Sequence, residues 1–170
     1  MNALIEKGVS CHRANRGTEL SSWKLTHDGS VSGDNSVELV SPILFGMEGI
    51  NELKKVCEVL KAKRVKINKT CGLHIHLDAE GFDLRTWKNL HLNYGRLEQT
   101  IDSFMPQSRR GNNNRYCKSM VRDNWQEQVN RANRLQDIQR IYSNDRYVKL
   151  NSQSYWHHKS VEFRQSAGTI

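Results

Sequence analysis

Apolar residues in this chain recur at two periods, and the alternation between them lays out its elements. Trp23 to Leu25 reads as a short strand and Ser36 to Ser41 as its partner. Between them His27-Asp28-Gly29-Ser30 forms a tight turn, because Asp-Gly favours positive φ. From Gly46 to Arg64, residues Ile50, Leu53, Cys57 and Leu60 fall at helical spacing, flanked by Val56 and Val59, which predicts an amphipathic helix that needs a sheet to cover. Leu73, Ile75 and Leu77 then alternate with His74, His76 and Asp78, the mark of a strand with two different faces. Asp83 is placed to N-cap a long helix, in which Leu84, Trp87, Leu90, Tyr94, Leu97, Ile101 and Phe104 recur until Pro106 stops it. Ser108 to Lys118 reads as a polar loop, and Trp125 to Tyr142 as helix in one or two short pieces. Arg146–Asn151 and Ser160–Arg164 predict a hairpin closed by a polar turn. The fold class expected is α+β, with helices on one face of a largely antiparallel sheet.

Composition narrows this picture. The 170 residues, with two prolines, no internal repeat and no low-complexity linker, predict one domain over 1–170. No apolar run reaches the roughly 18 to 20 residues of a membrane span, and MNALIEKG has no signal-peptide core, so a cytoplasmic protein with no membrane partner is expected. Cys11, Cys57, Cys71 and Cys117 form no CxxC and are read as free thiols. The net charge is +8, and 105–150 carries ten basic residues against four acidic ones. That excess makes an acidic protein or nucleic acid a candidate partner, or else describes a solvated basic surface.

Three short motifs could carry chemistry. His74, His76 and Asp78 share a strand face at period two, which can hold a metal or phosphate. The alternatives are an ordinary polar strand face, or zinc bound by Cys71, His74 and His76. Glu162 and Arg164 share a face while Val161 and Phe163 take the buried one. A carboxylate beside a guanidinium suits a metal-bound phosphate, and also suits a plain strand ion pair. Glu38, a single acid among apolar residues, is either a third ligand or an outward strand residue.

Six ordered runs, WKLTHDGSV (23–31), VELVSPIL (37–44), CGLHIHLD (71–78), SRRGNNNRYC (108–117), RYVKLN (146–151) and VEFRQSAGT (161–169), resemble the amidoligase family. That family is similar to glutamine synthetase and glutamate–cysteine ligase, which join a carboxylate to an amine at the expense of ATP. The resemblance implies a glutamine synthetase-like catalytic core. It also implies an ATP- and Mg2+- (or Mn2+-) dependent ligase acting through an acyl phosphate on small-molecule or peptide carboxylates and amines. Carried over residue by residue, it puts metal at Glu38, His74 and Glu162, and catalysis at Arg164, Glu162 and His76. Nucleotide phosphate falls to His76 and Arg164, and a substrate or phosphate clamp to Arg109, Arg110, Arg115 and Tyr116. Three departures stand out: family members usually begin with a strand reading approximately FGVEIE, they usually continue past the AGT run, and Ser166 stands where a His is common. The expectation is therefore a truncated core, with an exposed sheet edge that could pair with a second copy. The rival expectation is a catalytically degenerate binding protein that uses its basic 105–150 segment.

Overall fold

The computed structural model describes residues 1–14, 21–33 and 36–170. The chain divides into two compact units, Met1–Cys71 with Ile170, and Gly72–Thr169. It is a mixed α/β structure, and no helix among the described residues is long and apolar enough to cross a membrane.

The first unit runs α1 (Asn2–Glu6), β1 (Cys11–Arg13), β2 (Trp23–Thr26), β3 (Glu38–Val40) and α2 (Gly46–Ala62). Strand β2 is central, parallel to β1 and antiparallel to β3, so the predicted pairing of 23–25 with 36–41 is present, with Leu25 opposite Leu39. Asp28 makes the turn, its carboxylate accepting from the Ser30 amide at 2.8 Å. Helix α2 is rotated from the expected stripe. Val56 and Val59 are buried with Leu4, Val9, Cys11 and Trp23, whereas Ile50 and Leu53 are exposed. The bond from Trp23 Nε1 to Glu52 at 2.5 Å contributes to this orientation. It draws Glu52, rather than an apolar neighbour, toward β2.

The second unit contains β4 (Ile75–Asp78), α3 (Leu84–Phe104), a 3-10 turn (Gln107–Arg109), α4 (Trp125–Arg131), α5 (Leu135–Ile141), β5 (Leu150–Asn151), α6 (Ser154–His158) and β6 (Ser160–Phe163). Its sheet has the order β4-β6-β5, antiparallel throughout. Asp83 caps α3 as predicted, accepting from the Thr86 amide at 2.7 Å, and the helix ends at Phe104, two residues before Pro106. The inward face differs from the expected stripe near its end. Leu97 and Phe104 are exposed, and Glu98 is buried instead, because it receives the Lys149 ammonium and the Met120 amide. The core joins Trp87, Leu92 and Tyr94 of α3 to Trp125, Val129, Leu135 and Ile138, with Leu150 and Val161 from the sheet.

The terminal hairpin needs correction. Only Leu150–Asn151 pairs with β6, and a helical turn, α6, fills the predicted polar loop. The residues before β5 are held elsewhere: Lys118 and Val148 form a parallel bridge, with Lys118 N bonded to Tyr147 O at 2.8 Å and Lys149 N to Lys118 O at 2.9 Å.

Candidate functional site

Period two on β6 sends Val161 into the core and Glu162 to the opposite face, and the register sets His76 of β4 across from Glu162. The result is a cluster converging on one oxygen. Glu162 Oε1 lies 2.6 Å from Arg164 Nη1, 3.2 Å from His74 Nδ1 and 3.6 Å from His76 Nε2. Its other oxygen accepts from Asn151 Nδ2 at 2.6 Å. Burial pulls the Glu162 carboxyl up, but the hydrogen bonds of His74 and His76, the Arg164 charge and the Asn151 amide outweigh it and hold the group well below the usual carboxylate range. Glu162 is thus an anion at any ordinary pH. The imidazoles form the open side: the His74 and His76 side chains are 29% and 43% exposed, against 7% for Glu162. His76 is oriented through Nδ1, 2.8 Å from Ser160 Oγ.

Arg164 is fixed from two sides. Nε donates to the Tyr116 carbonyl at 3.2 Å and Nη1 to Glu162, while no protein partner among the described residues takes Nη2. The strand behind it is held by a buried polar scaffold. The Arg109 guanidinium donates to three successive carbonyls, those of Arg164 (2.5 Å), Gln165 (3.3 Å) and Ser166 (3.0 Å). Gly72 makes this approach possible, since a Cβ there would stand 2.8 Å from an Arg109 nitrogen and 3.0 Å from the His74 ring. Gln165 bridges the Tyr94 hydroxyl and Asp102, and the fully buried Lys149 ammonium bonds both Glu98 (2.9 Å) and Asp102 (2.8 Å).

His74, His76, Glu162 and Arg164 come together. Glu38 lies half-buried on β3, in the first unit. Arg109, expected in a clamp, is buried with its donors committed to backbone, and Arg110 Nε donates to the Met105 carbonyl. Arg115 is exposed, its guanidinium carbon 4.6 Å from the Tyr116 ring centroid. Cys71 sits beside Asn68, and no group of three His, Cys, Asp or Glu among the described residues is arranged to hold a metal ion, so nothing supports the zinc alternative. The basic 105–150 segment is not a continuous free surface either. Arg109 and Lys149 are buried, Lys118 pairs with Asp145, Arg131 with Glu127, and Arg134 and Arg140 with Asp137. Sequence reasoning missed Asn151, Ser160 and the Lys149–Glu98–Asp102 group. The one available signal was a lysine and an asparagine inside the strand-like run YVKLN.

A family model described as "Putative amidoligase enzyme" matches residues 6–170. The chain belongs to this family. No curated protein and no solved structure matches it.

The donor set of the cluster can be set against the preferences of a hard divalent cation such as Mg2+. Mg2+ prefers oxygen and commonly takes one or two carboxylates plus substrate phosphates. The His–Glu–Arg cluster offers a single carboxylate, kept ionised, with both of its oxygens already hydrogen-bonded. It suits a metal that arrives with phosphate oxygens, and does not make an all-protein cage. Within the cluster, Glu162 is the residue that would meet such an ion, with His74 beside it.

Proposed function

We propose that this chain is a carboxylate–amine ligase that uses ATP and Mg2+ (or Mn2+) to form an amide through an acyl phosphate, on a core related to that of glutamine synthetase. The observation that carries the reading is Arg164: a guanidinium locked by Glu162 and the Tyr116 carbonyl, with Nη2 uncommitted, on the same sheet face as two half-open imidazoles.

In the first step the substrate carboxylate oxygen attacks the terminal phosphorus of ATP, and the bond to the bridging oxygen breaks to release ADP. In the second the amine nitrogen attacks the acyl carbon, the carbon–oxygen bond to phosphate breaks, and the amine gives up a proton. Neither step needs a protein nucleophile, so the chain contributes position and charge. Arg164 Nη2 meets the transferring phosphoryl group as its charge spreads. Glu162 fixes that guanidinium and would hold the metal from the protein side. His76, oriented by Ser160, presents Nε2 to a nucleotide phosphate oxygen. Mg2+, when bound, neutralises phosphate charge.

The test supplies hydroxylamine as a general amine, a panel of carboxylates, ATP and Mg2+, and reads hydroxamate and ADP together. Arg164→Ala should lower the rate about 10²-fold or more, the usual cost of losing one donor at a developing charge. ADP release by the parent that survives Arg164→Ala unchanged, or no carboxylate-dependent ADP release at all, overturns the reading.

A further inference from the structure

Beside Arg164, two loops that are distant in sequence interlock through aromatic rings. Tyr116 and Tyr147 meet edge to face with centroids 5.1 Å apart. Each ring carries its own neighbour's guanidinium: Arg115 lies 4.6 Å from the Tyr116 centroid and Arg146 lies 4.9 Å from that of Tyr147. Arg164 lies 5.6 Å from the same Tyr147 ring, so Arg146 and Arg164 are no further apart than the sum of those two distances. Hydrogen bonds from Arg115 to the Tyr116 hydroxyl, and from Arg146 to that of Tyr147 at 3.1 Å, hold both side chains against the rings.

Charge balance separates this cluster from the ion-paired arginines of the chain. Arg131, Arg134 and Arg140 each face a carboxylate, and Arg164 has Glu162. Among the described residues no carboxylate pairs with Arg115 or Arg146, although both are exposed and both are held by tyrosine. Two cations kept in place with no counter-ion among the described residues are pre-organised for an external anion, because the cost of ordering long side chains is met before binding. A guanidinium fork matches carboxylate and phosphate oxygens alike.

We infer that Arg115, Tyr116, Arg146 and Tyr147 form an anion subsite next to Arg164, so that the ligand carries a second anionic group, carboxylate or phosphate, in addition to the one at Arg164. This rests on reading Arg164 as part of the reacting centre. The second group belongs either to a dicarboxylate acid substrate or to the phosphate chain of the nucleotide.

NMR titration of the full chain, following arginine Nε–H signals, separates these cases with three probes: acetate, glutarate and tripolyphosphate. Glutarate or tripolyphosphate should bind at least tenfold tighter than acetate. The double variant Arg115→Gln, Arg146→Gln should lose about tenfold for whichever multivalent probe binds, with acetate within twofold of the parent. Glutarate as the responder assigns the subsite to the acid substrate, and tripolyphosphate assigns it to the nucleotide. A parent that does not distinguish the probes, or a double variant that binds them as the parent does, overturns the inference. Both side chains are exposed, so the variant should fold, as circular dichroism would verify. No turnover is involved: loss of multivalent binding in the variant upholds the subsite even if the hydroxamate assay is negative, and a positive assay with unchanged binding discards the subsite while leaving the ligase reading.

Discussion

Glu162 holds a buried negative charge among His74, His76, Arg164 and Asn151, and its depressed carboxyl sets the sign of a pH dependence. A folded value below the unfolded one, about 4.3, means stability that is fully present above that pH and is lost as pH falls through the folded value. Glu162→Gln should therefore remove part of the acid limb of the stability profile. At neutral pH it should cost about 3–5 kcal/mol, since Arg164 is left without its partner, and urea denaturation at several pH values reads both effects. His91 acts in a different window. It is fully buried, Nδ1 donates to the Trp87 carbonyl at 2.8 Å, Nε2 has no partner, and burial pushes its pKa down to about 4. Between the ordinary histidine value of about 6.5 and that lower value the unfolded chain takes up a proton that the fold refuses, so stability should fall by about 3 kcal/mol as pH drops. His91→Leu should flatten that slope. At this scale the shared face of His74, His76, Glu162 and Arg164 was legible, because period two is geometry. Asn151 was not, because its role depends on the strand register that sets it opposite Glu162.

Helix α3 was the most legible element: a cap, a long periodic stripe and a proline all agree on its limits. Its burial was legible only in part, because a propensity stripe cannot show that Glu98 turns inward to meet Lys149. The terminal hairpin was misread for a comparable reason, since 146–149 spend their backbone on Lys118 and leave two residues for β6. Packing between α3 and α4 gives a sharp test. Trp125 packs against Gly95, where an added Cβ would clash with the six-membered ring of the indole, and neither ring nor helix can give way cheaply. Gly95→Ala should cost about 1–3 kcal/mol and lower the Tm, whereas Gly81→Ala, with open space around it, should be nearly silent.

Over the whole molecule, net charge proved a poor guide to surface. The segment that looked most basic places two of its cations in the interior, and Lys149 there ties α3 to the strands through Glu98 and Asp102. Lys149→Met should destabilise by about 3–5 kcal/mol, because it strands two carboxylates, and Asp102→Asn in the same chain should recover part of that loss, as a double-mutant cycle in urea would measure. The sheet order of the second unit has a kinetic consequence. Its central strand, β6, comes after both of its neighbours in the chain, and His76 meets Ser160 across 84 residues. Until that long loop closes, β4 has no partner from its own sheet, and Leu73, Ile75 and Leu77, which remain 39%, 44% and 52% exposed even in the finished fold, are open to solvent. Refolding should be slow and sensitive to Val161→Ala, and the species waiting for β6 is the one most prone to pair with another chain and aggregate.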